Sequence, residues 1–147
     1  MNKRKSILVT SGSKRLGKHI SKFFVMNDWD LILHYNNSKV EAEETANELS
    51  LYSKNIKLYQ ADFTNSKDVE NLVAKLLLKE KEWIGLVNNA GLFEYDTGQE
   101  FTIKKLNRHM SINFSTPAIL IQALYKNIIK NQIVKNKNNM VINIIDA

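Results

Sequence analysis

Apolar residues along this chain recur in two alternating rhythms. Short runs, Ile7-Leu8-Val9, Leu31-Ile32-Leu33, Ile56-Lys57-Leu58-Tyr59, Ile84-Gly85-Leu86-Val87 and Val141 to Ile145, read as β-strands, most of them apolar on both faces as buried parallel strands are. Between them lie stretches with helical spacing. Gly17 to Met26 carries Ile20, Phe23 and Phe24; Val40 to Tyr52 carries Ala42, Ala46 and Leu49; Val69 to Leu78 carries Leu72, Val73 and Leu76. A longer helical region from about Ile103 to Ile133 is interrupted or tilted near Pro117. The order βαβαβαβαβ predicts one α/β domain over residues 1–147: a doubly wound parallel sheet of five strands, in the order 3-2-1-4-5, with right-handed crossovers.

Composition changes this picture little. With 147 residues, 44% hydrophobic and 24% charged, the chain is long enough for one sizeable core and too short for two. It has no cysteine, which rules out a disulfide frame or thiolate metal site and suits a reducing, cytoplasmic location. The basic start, Met1 to Lys5, runs into only three apolar residues, far short of a signal-peptide core or membrane span. A net charge of +6 raises the question of nucleic acid. The lysines, however, are scattered along helix-like segments instead of forming a stripe with interleaved aromatics, so a solvated surface is expected and no nucleic-acid partner. Lys126, Lys130, Lys135 and Lys137 fall late in the long helical region, where cations complement the carbonyl end of the dipole.

The first strand-to-helix turn reads Val9-Thr10-Ser11-Gly12-Ser13-Lys14-Arg15-Leu16-Gly17. Small residues there let backbone N–H groups approach a pyrophosphate, and the following helix points its positive end at the same anion, as in Rossmann-type folds. Only Gly12 and Gly17 are glycines, so the loop also reads as a plain tight turn. The end of the second strand bears on which dinucleotide fits. NAD sites place an acid there for the ribose hydroxyls, whereas His34-Tyr35-Asn36-Asn37-Ser38 offers none. Lys14 and Arg15 on the neighbouring loop can reach the same pocket, and arginine grips phosphate with a fork of donors, so NADPH is favoured over NADH. His34 reads equally as a phosphate contact or as a strand-end histidine with a satisfied partner.

Asn88-Asn89-Ala90-Gly91, after the fourth strand, resembles the Asn-Asn-Ala-Gly motif of the short-chain dehydrogenase/reductases. In that family the motif stabilises the sheet and lines the adenosine side of the cofactor, which implies cofactor roles for Asn89, Ala90 and Gly91. By the same resemblance Asp62, with Phe63 beside it, lies near the adenine amine, and Asn113 in Ser111-Ile112-Asn113 belongs to a proton relay. Within the family the chain looks most like the pteridine reductases. Thr10, Arg15 and Gly17 carry their form of the loop, and His34, Tyr35 and Ser38 their segment after the second strand. Phe93 falls where their aromatic residue stacks a pterin against the nicotinamide, or else is a loop aromatic packed on the core. Asp146, at the end of the fifth strand, matches an aspartate that replaces the usual catalytic serine.

Departures from the pattern matter too. Ser11 stands where the family has its first loop glycine, so a side chain crowds the pyrophosphate if the backbone needs positive φ. Asn37 stands where pteridine reductases commonly have arginine. The family's catalytic Tyr-x-x-x-Lys helix and its last strands have no counterpart in these residues. The one such spacing, Tyr35 to Lys39, follows the second strand and is read as coincidence. The expectation is therefore a chain cut before its proton donor, which binds NADP(H) and is related to reductases of pterins or similar carbonyl and imine substrates, without turnover of its own. The alternative is a nonenzymatic nucleotide-binding or self-associating remnant. Self-association is expected through a bare fifth strand or through the helix face of Ile119, Ile121, Leu124 and Ile128.

Overall fold

Five parallel strands carry the apolar runs, and helices fill the crossovers between them. The computed structural model describes residues 5–53, 55–95, 97–133 and 139–145. Its elements are β1 (Ser6–Val9), α1 (Arg15–Met26), β2 (Asp30–Tyr35), α2 (Lys39–Leu49), β3 (Ile56–Gln60), α3 (Ser66–Lys79), β4 (Trp83–Asn88), α4 (Ile103–Met110), α5 (Thr116–Lys130) and β5 (Met140–Asn143). The strands pair in the order β3-β2-β1-β4-β5, the doubly wound arrangement that the alternation of rhythms predicts. Ile7 pairs with Leu31 and Gly85, Leu33 with Leu58, and Leu86 with Val141.

Strand side chains alternate between faces, so each buried strand feeds two cores. Leu8, Ile32 and Leu86 pack with Leu72 and Leu76 of α3 and with Leu120 and Leu124 of α5. Ile7, Val9, Leu31, Leu33 and Val87 face the other way, against Phe24, Val25, Ala42 and Leu49 of α1 and α2. The central strands therefore show no polar alternation, because neither face meets water. β3 is an edge strand, and there Lys57 is exposed.

Several expectations need adjusting. Phe23 turns to solvent and meets Phe24 only edge-on, at 5.5 Å between ring centroids. Leu124 is buried and Ile128 packs on the core, so the exposed face of α5 is instead Ile119, Ile121, Tyr125 and Ile129. β5 ends at Asn143, although the Ile144 amide still donates to the Asn88 carbonyl at 3.0 Å. α5 ends at Lys130, and Lys135 and Lys137 lie outside the described residues.

The expected break near Pro117 is a π-helical turn, Ser111–Ser115, between α4 and α5. Pro117 has no N–H to give to the Asn113 carbonyl, so the regular i to i−4 ladder is broken there. The turn widens, and the Thr116 amide reaches back to the Ser111 carbonyl. That widening re-aims Asn113.

Candidate functional site

Every carbonyl of the β1–α1 loop from residue 10 to 13 is met by a side-chain donor from elsewhere in the fold. The Asn89 amide donates to the Thr10 and Ser11 carbonyls at 3.1 and 3.3 Å. The Ser21 hydroxyl, nearly two turns inside α1, donates to the Gly12 carbonyl at 3.0 Å. The Thr45 hydroxyl of α2 donates to the Ser13 carbonyl at 3.1 Å. The loop's negative ends are thus turned into the protein, and among the described residues no acceptor is paired with the backbone amides of residues 13–17. Those amides begin a helix, where the first N–H groups have no intrahelical acceptor and the dipole is positive.

Close packing holds this geometry. A Cβ on Gly17 would lie 2.1 Å from the Ser11 carbonyl oxygen, so only glycine lets α1 approach the loop. Ser11 does adopt the left-handed conformation anticipated for a glycine, at φ 50°, and Arg15 follows at φ 46°. Each such residue costs about 1–2 kcal/mol, which surrounding bonds must offset. Thr10 is buried: its hydroxyl donates to the Val87 carbonyl at 3.3 Å and accepts from the Asn89 and Ala90 amides at 2.9 and 2.8 Å. The Asn-Asn-Ala-Gly segment therefore works as a staple between the end of β4 and the loop.

Beside the loop, at the end of β2 and the start of α2, one cation is paired and one is not. Lys14 Nζ lies 2.5 Å from Glu41 Oε1 at the start of α2, and the Lys14 ammonium holds the Glu41 carboxyl below its ordinary range. Arg15 is exposed, and its guanidinium has no ion pair among the described residues. Leu16 is exposed, Tyr35, Asn36 and Ser38 are half-buried, and Ser38 precedes α2 without capping it. Asp62 Oδ1 accepts from the Thr64 amide and hydroxyl, both at 2.8 Å. Phe63 is buried and stacks on the His34 ring, centroids 4.1 Å apart and planes 11° from parallel. His34 is 2% exposed; burial pushes its pKa down to about 4, while the bond to the Ala61 carbonyl works the other way.

Toward β5, Asn113 clamps the backbone of Leu92, accepting from its amide and donating to its carbonyl, both at 2.8 Å. Two residues on, Glu94 pairs with Arg108 of α4 at 2.8 Å. Phe93 stands between these two anchors, 80% exposed, so it is not packed on the core. Gly91 is exposed nearby, with the Asn113 oxygen 3.8 Å from where its Cβ would be. Asp146 lies outside the described residues.

A family model described as short chain dehydrogenase matches residues 5–145. The chain belongs to the short-chain dehydrogenase family. Among curated relatives, the short-chain dehydrogenase/reductase FrzI of Cladobotryum sp is 26% identical over 119 residues, 81% of this chain and 46% of that protein. The uncharacterized oxidoreductase YmfI of Bacillus subtilis is 24% identical over 129 residues, covering 87% of this chain and 52% of its own length. The chain spans about half the length of these relatives. Among solved structures, FolM alternative dihydrofolate reductase 1 from Brucella suis, in complex with NADP, superposes with a TM-score of 0.81 at 30% identity, over 97% of this chain and 57% of that one.

In this member of the family the Thr10–Gly17 motif falls on the capped loop and Asn89 and Ala90 on the staple, whereas the side chain of Asn113, expected in a proton relay, is bound to the Leu92 backbone. The residues that sequence reasoning missed are Ser21, Thr45 and Glu41. The first two carried a signal: each is a polar residue set among apolar positions of an amphipathic helix, Ser21 beside Phe24 and Val25 and Thr45 between Ala42 and Leu49, where a buried hydroxyl needs a partner. Chemically, the arrangement offers amides and a helix N-terminus to a diphosphate and cations to a second phosphate, and the loop after β4 carries an exposed aromatic ring. Among the described residues, no helix is long and apolar enough to cross a membrane.

Proposed function

We propose that this chain is the dinucleotide-gripping part of an NADP(H)-dependent reductase. The observation that carries the reading is the capping of all four loop carbonyls, Thr10 to Ser13, by Asn89, Ser21 and Thr45, which leaves an amide-lined helix start for the pyrophosphate. Arg15, Lys14, Asn36 and Ser38 receive the 2′-phosphate, with no acid on the segment after β2 to repel it; Lys14 exchanges Glu41 for the ligand. The Asp62 oxygen not bonded to Thr64 faces the adenine amine. The NADP complex of the Brucella suis FolM protein, at 30% identity, supports the choice of cofactor.

Phe93 takes a flat, conjugated substrate such as a pterin against the nicotinamide, and Asp146 is a second candidate contact for that substrate. A reduced nicotinamide, once bound, supplies the hydride, and the substrate nitrogen also needs a proton. Asn113 does not deliver that proton: its side-chain oxygen and nitrogen are both committed to Leu92, so it positions the Phe93 loop, and only its carbonyl, which Pro117 cannot serve as donor, is left for a relay water. The only Tyr-x-x-x-Lys spacing puts Lys39 against Glu43, 3.8 Å away at the start of α2. These 147 residues alone therefore bind without turning over. The exposed α5 face (Ile119, Ile121, Tyr125 and Ile129) and the β5 edge favour a homo-oligomer.

Calorimetric titration tests the cofactor. NADPH should bind at least about tenfold more tightly than NADH, because arginine and lysine contacts to a phosphate are charge-assisted. Equal or reversed affinities would overturn the assignment. Mixing the polypeptide with NADPH and dihydrobiopterin should leave absorbance at the nicotinamide band unchanged, and steady oxidation would refute the inactivity of the chain alone. Light scattering that gives a monomer at every concentration would remove the oligomer.

A further inference from the structure

His34 is a buried titratable group that the phosphate site does not use. It lies on β2, and it captures two consecutive amides of the β1–α1 loop: the Gly12 N–H donates to its carbonyl at 3.1 Å, and the Ser11 N–H donates to its ring Nδ1 at 3.2 Å. On the other side of the ring, Nε2 lies 3.0 Å from the Ala61 carbonyl. A carbonyl only accepts and an amide N–H only donates, so these partners fix one form of the ring, neutral with its proton on Nε2. The Phe63 ring covers one face. No nitrogen of His34 remains for a phosphate.

The bond to Ser11 falls at the strained point of the loop. Ser11 has φ 50°, a conformation that a serine keeps only where its surroundings over-determine it. His34 Nδ1 holds its amide and Asn89 holds its carbonyl, so both ends of the residue are fixed. The Ser11 carbonyl in turn sits against Gly17, the residue through which α1 packs on the loop. We propose that His34 is a positioning residue: through its neutral, Nε2-protonated ring it holds Ser11 in the left-handed conformation that presents residues 13–17 to a diphosphate, and so sets dinucleotide affinity without touching the ligand. This rests on the reading above that those residues receive the dinucleotide.

Two substitutions separate the ring's two bonds. His34→Asn can keep an acceptor near the Nδ1 position, facing Ser11, and His34→Gln can keep a donor near the Nε2 position, facing Ala61; both lose the stack on Phe63. The probes are 2′-phospho-ADP-ribose, which carries the diphosphate, and adenosine 2′-phosphate, which does not. The expected result is that H34Q binds 2′-phospho-ADP-ribose about tenfold more weakly than the parent, as for one lost hydrogen bond at a fixed site, while H34N stays within about threefold. Adenosine 2′-phosphate should bind the parent and both variants alike. Parent-like affinity of H34Q for both probes, or equal loss of both probes in the two variants, would overturn the proposal. If the parent itself ignores 2′-phospho-ADP-ribose, the dinucleotide reading fails, and that failure is visible before any variant is made. Long-range 1H–15N spectra of the parent give a check that needs no variant to fold: Nδ1 should be bare and Nε2 protonated at neutral pH, and the opposite tautomer or an imidazolium would sink the idea.

Discussion

Replacing Gly17 with alanine sets two effects of opposite sign against each other. Alanine is the better helix former by about 0.5–1 kcal/mol, so in open space the change would stabilise α1. The added Cβ would, however, lie 2.1 Å from the Ser11 carbonyl oxygen and 2.7 Å from Asn89 Nδ2, where real Cβ contacts below 3.0 Å are essentially unknown. Neither neighbour is free to yield, because that carbonyl is backbone and is held by the same Asn89 amide. The helix must back away by roughly an ångström, an overpacking cost of about 1–3 kcal/mol that outweighs the propensity gain. For a chain of this size each kcal/mol lowers the melting temperature by about 2–4 °C. The same retreat moves the residue 13–17 amides off the ligand, so NADPH affinity should fall about tenfold or more. Gly98→Ala is the control, since nothing lies within 4 Å of its added Cβ. Calorimetry of both variants with and without NADPH decides the matter. A Gly17→Ala protein that melts and binds like the parent, or a Gly98→Ala protein damaged equally, would refute the packing argument.

Three further outcomes follow from the charged and buried groups. His34 titrates at about 4 in the fold against 6.5 in its absence, so the unfolded chain takes up its proton first as the solution is acidified. Its contribution, on the order of 3 kcal/mol, is full above about pH 6.5 and drains away as pH falls toward 4; denaturation midpoints in His34→Asn should show a shallower slope across that window, and an unchanged slope would contradict the burial argument. Tyr59 donates at 2.5 Å to Glu80, a carboxylate only 4% exposed that also pairs with Lys57 at 2.7 Å. Tyr59→Phe should lower stability by about 1.5–3 kcal/mol in urea titrations, and parity with the parent would show that Lys57 alone satisfies the acid. Glu41→Gln releases Lys14, and because exposed pairs are weak it should tighten NADPH by no more than about fivefold and leave NADH unchanged; a matching gain for NADH would show that Lys14 does not face the 2′-phosphate.

The sheet was legible because its central strands are buried on both faces, which leaves uninterrupted apolar runs, and because each run is followed by a stretch of helical spacing. Edges were harder to read. Lys57 in β3 and the short β5 carry mixed signals since one side of each has no neighbouring strand in this sheet. In the long helical region Pro117 marked the break, but sequence did not show that relief would come as a π turn or that the turn would deliver Asn113 to Leu92. Leu124 and Ile128 looked like exposed face because the helix pattern is apolar nearly all round, and only packing decides which stripe turns inward.

At the site, the loop and its staple were visible as motifs, and Ser11 was marked in advance as the place where a side chain meets a glycine conformation. What could not be read locally was the set of donors that caps the loop, because Ser21, Thr45 and Asn89 reach it from three different elements. His34 was left open between a ligand contact and a satisfied histidine. Its partners, Ser11 and Ala61, are separated from it by 23 and 27 residues, so only the fold brings them together.

The central claim is that a dinucleotide's pyrophosphate sits on the amides of residues 13–17, opposite carbonyls that the fold has turned inward. Following backbone amide resonances of the 15N-labelled protein during titration with NADPH tests this most directly. The largest, saturable changes should fall on residues 13–17, with smaller ones at Ser11 and Gly12, whose amides are already bonded to His34. Saturable changes centred instead on the opposite end of the sheet, around Lys57, Lys79 and Glu80, or no saturable change at all, would contradict the account.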